Sequence, residues 1–329
     1  MSDRYIPPFH VTAEMVALVS EISEMVGSIT AWDHLSVNPR LRRDNRIRTI
    51  QATLAIENNT LSLDQVTAII NGKRILGLPG EIREVKNAYE AYEKLLDFDP
   101  WSIKDLLSAH GMLMHDLVEA CGRFRSGAVG VFDGERLIHM APPAEFVPGQ
   151  VAELLNWVRD DPTHVLIKSC VFHYEFEFIH PFADGNGRIG RMWQTLILSR
   201  WRALFAWLPV ETLIREHQQA YYAVLREADS LGYADPVILF LLTAIREALA
   251  EIRNSTPAIP PEVSPQVRKL MAALGSDTLS SLEIMARLGL KSRVSFRQNY
   301  LKPALEAGLI EMTLPDKPNS RNQKYKVSK

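Results

Sequence analysis

Twelve consecutive residues, His180-Pro-Phe-Ala-Asp-Gly-Asn-Gly-Arg-Ile-Gly-Arg191, hold an imidazole, a carboxylate, two glycines flanking an amide, and two guanidiniums. Phosphate chemistry uses that inventory. His180 is the side chain best matched to accept a proton near pH 7. Asp184 is a hard carboxylate of the kind that holds Mg²⁺, a cation that shares its shell with waters and substrate phosphates. Gly185-Asn186-Gly187 lets successive backbone N–H groups face one point, an anion nest. The helical pattern that follows puts this nest at a helix N-terminus, where phosphate is already favoured. Arg188 and Arg191 share one side of that helix and can clamp phosphate oxygens. Gly185, Gly187 and Gly190 also fit a dinucleotide-binding fingerprint, but that fingerprint requires a preceding strand. Here Val165, Phe172, Phe176 and Ile179 precede it at helical spacing.

The elements that must position these groups are mostly helices. A helix over 163–179, apolar almost all round, reads as central and buried, and Pro181 stops it so that His180 stands at its end. The next helix buries Ile189, Met192, Trp193, Leu196 and Ile197. Amphipathic patterns predict helices over 11–27, 45–58, 61–70, 81–96, 148–159, 211–229 and 236–253, and one capped by Ser102 that runs through His115. In the 81–96 helix the apolar side is Ile82, Val85, Tyr89, Tyr92 and Leu96, and residues 35–44 read as a basic solvated loop. Tyr221 and Tyr222 read as core packing, with lining of a nucleotide pocket as the other reading. Between Val129 and Met140 two apolar runs flank Asp133-Gly134, a strong hairpin signal. An isolated hairpin is marginal, so this one lies on something or accepts a further strand.

The helix over 45–58 places Thr53 and Glu57 on one face, i and i+4. Asn58-Asn59 reads as its C-cap. Glu57 therefore sits at the negative end of the helix dipole, which costs roughly 0.3–1 kcal/mol and calls for a cation from elsewhere in the fold.

The string H-P-F-x-D-G-N-G-R-x-x-R resembles the signature of the Fic family of nucleotide-transferring enzymes, matched here at every position. The resemblance implies transfer of AMP from ATP, with Mg²⁺, to a Ser, Thr or Tyr hydroxyl of a protein. In it, His180 is the base and Asp184 the metal ligand. Gly185, Asn186 and Gly187 form the phosphate cradle, and Arg188 and Arg191 are the polyphosphate clamps. Thr53-Leu-Ala-Ile-Glu57-Asn58 resembles the family's inhibitory motif, [S/T]-x-x-x-E-[G/N], although Gly is commoner at the last position. An inhibitory segment ahead of the core implies autoinhibition by a Glu57–Arg191 pair; the alternative is a plain helix-end carboxylate. The hairpin over 129–141 matches the flap that docks the protein substrate by strand addition, or is only structural. Removal of AMP is an alternative activity of the same site.

Composition bounds the remaining possibilities. The chain has 329 residues, 47% hydrophobic and 23% charged, with a formal net charge of -2. This is an ordinary globular balance with no overall field to recruit nucleic acid or membrane. Its two cysteines, Cys121 and Cys170, make no disulfide framework and read as reduced, buried thiols. His110 and His115 are five apart, the wrong spacing for one helix face, so no protein-only zinc site is read. No apolar run is long enough to span a bilayer. Met1-Ser-Asp-Arg-Tyr does not begin as a signal peptide, so the cytoplasm is the expected compartment.

The proline-rich stretch 254–265 reads as a linker. Beyond it the balance turns basic. Residues 261–329 carry twelve Lys/Arg against six Asp/Glu, a net +6 that leaves -8 for the rest. The pattern there is a helix (Val267, Leu270, Met271, Leu274), a second (Leu282, Ile284, Met285, Leu288), a turn at Gly289, and a third from Ser292. Two strands, Leu309-Ile310 and Tyr325–Val327, follow around a basic loop. This resembles a winged helix-turn-helix with Lys291, Arg293, Arg297 and Lys302 at the recognition helix. Its partner is either DNA, in a regulator whose Fic site senses nucleotide, or protein, including a second copy in a homo-oligomer. The expected fold is thus mainly α. It comprises an N-terminal helical region (1–99) with the inhibitory helix, a Fic-type helical core with a hairpin flap (100–253), the linker, and the winged module (266–329).

Overall fold

The computed structural model describes residues 5–32, 39–133, 136–255, 264–315 and 320–328. Helices dominate, in the order α1 (Ala13–Trp32), α2 (Pro39–Ile56), α3 (Leu63–Ile70), α4 (Pro79–Glu93) and α5 (Ile103–Leu113). The hairpin β1 (Gly130–Asp133) and β2 (Arg136–Met140) follows, then α6 (Val147–Asp160), α7 (Val165–Ile179) and α8 (Asn186–Trp201). Three more helices, α9 (Val210–Glu216), α10 (Gln218–Leu231) and α11 (Asp235–Ser255), precede the C-terminal module. The chain divides into two compact units, Met1–Ile22 with Asn45–Ala248, and Ser23–Asp44 with Leu249–Lys329.

In the first unit α7 and α8 pack on each other, with α6 against α7 and α5 against α8. Phe172, Phe176, Ile189, Met192, Trp193 and Leu196 are fully buried between them. Gly190 makes the close approach possible: a Cβ there would run into the Glu177 carboxylate and the Phe176 ring. Tertiary packing rather than helix propensity therefore stabilises these two helices.

In the second unit α12 (Pro265–Leu274), β3 (Leu279–Ser280) and α13 (Ser281–Arg287) lead into α14. That helix runs Arg293–Phe296, passes through a π-helical turn at Arg297–Leu301, and continues through Lys302–Glu306. Strands β4 (Ile310–Met312) and β5 (Lys324–Val327) complete an antiparallel sheet of order β3-β5-β4. Val267, Leu270, Met271, Ile284, Phe296 and Tyr325 lie in its core. This is the winged helix-turn-helix arrangement, with a first strand, β3, that the sequence pattern did not reveal.

Several boundaries differ from the sequence reading for local reasons. Residues 39–44 are not a loop but the first turns of α2, because proline is tolerated at the start of a helix, where its missing N–H is not needed. Residues 35–38 of that reading lie outside the described residues. The helix over 81–96 starts at Pro79 for the same reason and stops at Glu93; a 3₁₀ turn then buries Leu95 and leaves Leu96 exposed. The Ser102-capped helix ends at Leu113, short of His115. The segment 211–229 is two helices broken at His217. Leu282 faces solvent. In the hairpin Asp133 pairs with Arg136 and so belongs to the strand rather than to the turn; Gly134 lies outside the described residues. Among the described residues no helix is long and apolar enough to cross a membrane.

Asn58 ends α2 with φ 67, the left-handed conformation that favours Gly and Asn. Asn58→Gly should keep or slightly raise the melting temperature. Asn58→Val, with a branched Cβ in that region, should destabilise by about 1–2 kcal/mol in thermal unfolding.

Candidate active site

His180 is the C-cap of α7 and adopts φ 50, ψ 60, again left-handed. The following Pro181 disfavours the helical region for it. Holding a non-glycine residue there costs roughly 1–2 kcal/mol, and the surroundings fix it. His180 N–H donates to the Phe176 carbonyl at 3.0 Å. The ring Nδ1 lies 3.3 Å from the Glu177 carbonyl oxygen. A carbonyl only accepts, so Nδ1 carries the hydrogen and Nε2 presents its lone pair, the tautomer of a general base.

Arg125 fastens this corner. Its Nε donates to the His180 carbonyl at 2.7 Å, and its terminal nitrogens donate to Gly127 O at 2.8 Å, Pro142 O at 2.5 Å and Ile179 O at 3.2 Å. Its own N–H donates to Pro181 O at 2.9 Å. The residue is 5% exposed, and burial lowers its pKa. One guanidinium thus ties the end of α7 to both feet of the β1–β2 hairpin, a cation at a helix C-terminus where the dipole favours it.

The loop after His180 is closed by Asn186. Its side-chain oxygen accepts from Phe182 N at 2.8 Å and its nitrogen donates to Phe182 O at 2.9 Å. The side chain therefore shapes the loop, and backbone N–H is what the residue offers an anion. Gly185 has φ 81, and a Cβ there would collide with the Met114 sulfur. His110, buried and stacked on Phe182 at 3.7 Å, holds the loop from below. Gly122 N–H donates to its Nδ1 at 2.9 Å, so Nε2 carries the hydrogen and donates to the Asp184 carbonyl at 3.0 Å. Burial, with Arg188 nearby, lowers the His110 pKa against a raising effect of the Asp184 hydrogen bond, which keeps this ring neutral.

The Asp184 carboxylate is 57% exposed, and its Oδ1 accepts from Gly185 N at 2.5 Å and Arg188 at 3.0 Å. Arg188 is buried and also pairs with Glu84 at 2.7 Å. Glu84 in turn accepts from the Asn59 side chain at 2.8 Å, just past the end of α2. Arg191 is deeper still, 2% exposed. It donates to Thr53 Oγ1 at 2.9 Å, Thr53 O at 3.1 Å and Glu57 Oε1 at 2.7 Å. The Thr53 carbonyl can accept because the last turn of α2 tightens: Glu57 N–H bonds Leu54 O instead of reaching back to residue 53. Burial alone would lower the Arg191 pKa, but Glu57, Tyr221 and Glu177 outweigh it and the pKa is raised. Gly187 admits the Glu57 carboxylate, which stands where a Cβ would be. Glu57 thus fills space at the first turn of α8, where helix N–H groups lack intrahelical partners.

Around Arg191 the charges are finely set. Burial pushes the Glu177 carboxyl up to about 8, against the pull of Arg191. Burial pushes His173 down to about 3, helped by Arg191, and its Nε2 is 2.7 Å from the Tyr221 hydroxyl. Tyr221 is core, whereas the Tyr222 hydroxyl and the Gln218 amide cap Ile56 O at the end of α2. The buried Cys170 thiol is pushed up to about 12 by burial, and Cys121 is free and half-buried.

Sequence reasoning missed Glu84, His110 and Arg125. Each acts through a fold contact to a distant segment, and their spacing carries no signal.

Residues 100–198 match the model of the Fic/DOC family. Residues 265–328 match that of the Filamentation induced by cAMP protein Fic-like, C-terminal domain. A crystal structure of a Fic family protein from Desulfovibrio desulfuricans G20 is 53% identical, with TM-score 0.74 over 98% of each chain. A fragment of Fic-1 from Caenorhabditis elegans shows 25% identity and TM-score 0.62 over 74% of this chain and 72% of its own. Protein adenylyltransferase fic-1 of the same nematode is 31% identical over 239 residues, 68% of this chain and 44% of that protein. A probable protein adenylyltransferase of Aquifex aeolicus is 28% identical over 54% of this chain and 53% of its own. The chain spans about half the length of these curated relatives.

Two outcomes follow from the geometry. Arg125→Ala should raise amide hydrogen exchange in Gly130–Asp133 and Arg136–Met140 well above its effect on α8, because the feet of the hairpin lose their shared anchor. His173 has a folded pKa far below its ordinary 6.5, so the unfolded state binds the proton first. Stability should therefore fall as pH drops from about 6.5 toward 3, and His173→Phe should flatten that acid limb in melting temperature against pH.

Proposed function

The chain belongs to the Fic family, and from that premise we propose that it is a protein adenylyltransferase that transfers AMP from ATP to a Ser, Thr or Tyr hydroxyl and is held inactive by Glu57. The observation that carries this reading is the Arg191 guanidinium, buried beside the first turn of α8 and gripped by Thr53 and Glu57 of α2.

His180 Nε2 takes the proton of the attacking hydroxyl as its oxygen bonds to the α-phosphorus and the bond to pyrophosphate breaks. The N–H groups of Asn186 and Gly187 in the first turn of α8 stabilise charge on the transferred phosphoryl, while the Gly185 N–H holds Asp184 Oδ1. Preorganised donors of this kind contribute about 3–4 kcal/mol each to the barrier. Arg191 orients the leaving phosphates, and positioning supplies most of the rest. Asp184 suits Mg²⁺: it is a single carboxylate, more than half exposed, and this ion takes one or two carboxylates plus phosphates and waters. Bound there, the ion would neutralise phosphate charge. Arg188, now paired with Asp184 and Glu84, would be a second guanidinium for the phosphates. The β1–β2 hairpin, fixed beside His180 by Arg125, offers a strand edge to the target segment.

In the resting chain the Glu57 carboxylate sits where a phosphate oxygen would, on Arg191 and over Gly187. Removing Glu57 leaves a buried guanidinium without its counter-ion, a loss of up to about 3 kcal/mol, which a phosphate can restore.

Purified protein incubated with MgATP should gain little AMP mass. Glu57→Gly should gain it strongly, and Glu57→Gly with His180→Ala should not. Glu57→Gly should also melt lower than wild type without nucleotide and recover when ATP is added. Equal, low labelling of wild type and Glu57→Gly, with ATP bound equally well, would mean that Glu57 is only a helix-end carboxylate.

A further inference from the structure

We propose that the C-terminal module binds duplex DNA, with the N-terminal half of α14 as the element that enters the major groove. Three observations on the module itself carry this.

The first is its architecture. The order helix, strand, helix, helix, strand, strand with sheet order β3-β5-β4 builds a helix-turn-helix from α13 and α14. Gly289, with φ 64, makes the turn between them, and Ser292 caps α14 through Ser295 N–H. In such units the second helix presents its N-terminal residues to base edges.

The second is the distribution of paired and unpaired charge. Lys302 pairs with Glu306, Lys326 with Glu311, and Arg287 with Asp277. Lys291, Arg293 and Arg297 are exposed, and among the described residues no carboxylate pairs with them. Lys269, Arg321 and Lys324 are likewise exposed without a carboxylate pair among the described residues, but at the start of α14 three such cations stand within seven residues. A repeating anion one side-chain length away would pair with them, as phosphates do.

The third is the kind of side chain exposed. Beside the two arginines Gln298 is exposed; Arg and Gln are among the side chains that bond base edges bidentately in the major groove, whereas the exposed Asn299 donates to Ser295 Oγ at 3.2 Å. Val294 is 66% exposed amid them, and an apolar methyl there matches the thymine methyl. A homodimer interface would instead need a largely apolar centre, and this face has one valine. A-form RNA keeps its major groove too deep and narrow for a helix, so B-form DNA is the fitting duplex.

The test uses the full-length protein and a labelled pool of short random-sequence DNA duplexes, followed by anisotropy across a salt series and by sequencing of the bound fraction. Binding at low salt, weakening steeply as salt rises, is expected. Arg293→Glu with Arg297→Glu, checked for unchanged melting temperature, should abolish sequence enrichment and lower the log–log salt slope by about 2. Arg293→Lys with Arg297→Lys should keep the salt slope but lose the enrichment, because lysine cannot make the bidentate contact. The proposal is overturned by absence of duplex binding at low salt. Binding untouched by the charge reversal, equal competition from an RNA duplex, or a changed oligomeric state in the reversed variant with DNA binding intact would each overturn it as well.

Discussion

A guanidinium cannot shed its proton inside a protein, and Arg191 is 2% exposed. Some anion must therefore stand beside it in every state of the chain. In this structure the anion is Glu57, supported by the Thr53 hydroxyl and carbonyl. The rest of the first unit is arranged around that demand. The last turn of α2 tightens so that the Thr53 carbonyl is free to accept, Asn58 turns left-handed to end the helix, and Tyr222 and Gln218 cap the Ile56 carbonyl beside it. Gly187 has no side chain because the Glu57 carboxylate needs its space. On the function proposed above, a permanent charge with two possible counter-ions, one internal and one carried by a nucleotide, would be a switch that needs no large rearrangement of the core.

The same logic extends to Arg188. It is buried between Glu84 and Asp184, and Glu84 also holds Asn59. Both arginines of the motif are thus paired with carboxylates, and through Glu57, Glu84 and Asn59 both are linked to the end of α2. Displacement of that helix end by phosphate would be felt at both arginines.

The other half of the site is rigid. His180 is held in a left-handed backbone by Phe176, Glu177 and Arg125, and the neutral His110 fixes the Asp184 carbonyl from beneath. In the proposed reaction, a base aimed by its backbone and a loop aimed by a buried imidazole would need little reorganisation when substrate enters, as positional catalysis requires. Arg125 joins this corner to the hairpin, so the place where a target segment would dock and the group that would deprotonate it share one anchor.

The sequence by itself determined the chemical inventory of the loop. Residues His180 to Arg191 are contiguous, and a glycine-rich loop between two apolar helices dictates an anion nest at a helix N-terminus whatever surrounds it. It determined the helical core, because α7 and α8 repeat apolar residues at a spacing only a buried helix satisfies. It located Glu57 as an anion at the wrong end of a helix dipole, short of a cation. It could not determine what only long-range contacts decide. Arg125, His110 and Glu84 act on residues 55, 74 and 104 positions away, and no periodicity links such pairs. Most of all, tertiary structure decided that Asn186 spends its amide on Phe182 and that Glu57, rather than solvent, faces Arg191: burial sets which hydrogen bonds are obligatory, and burial exists only once the chain has folded.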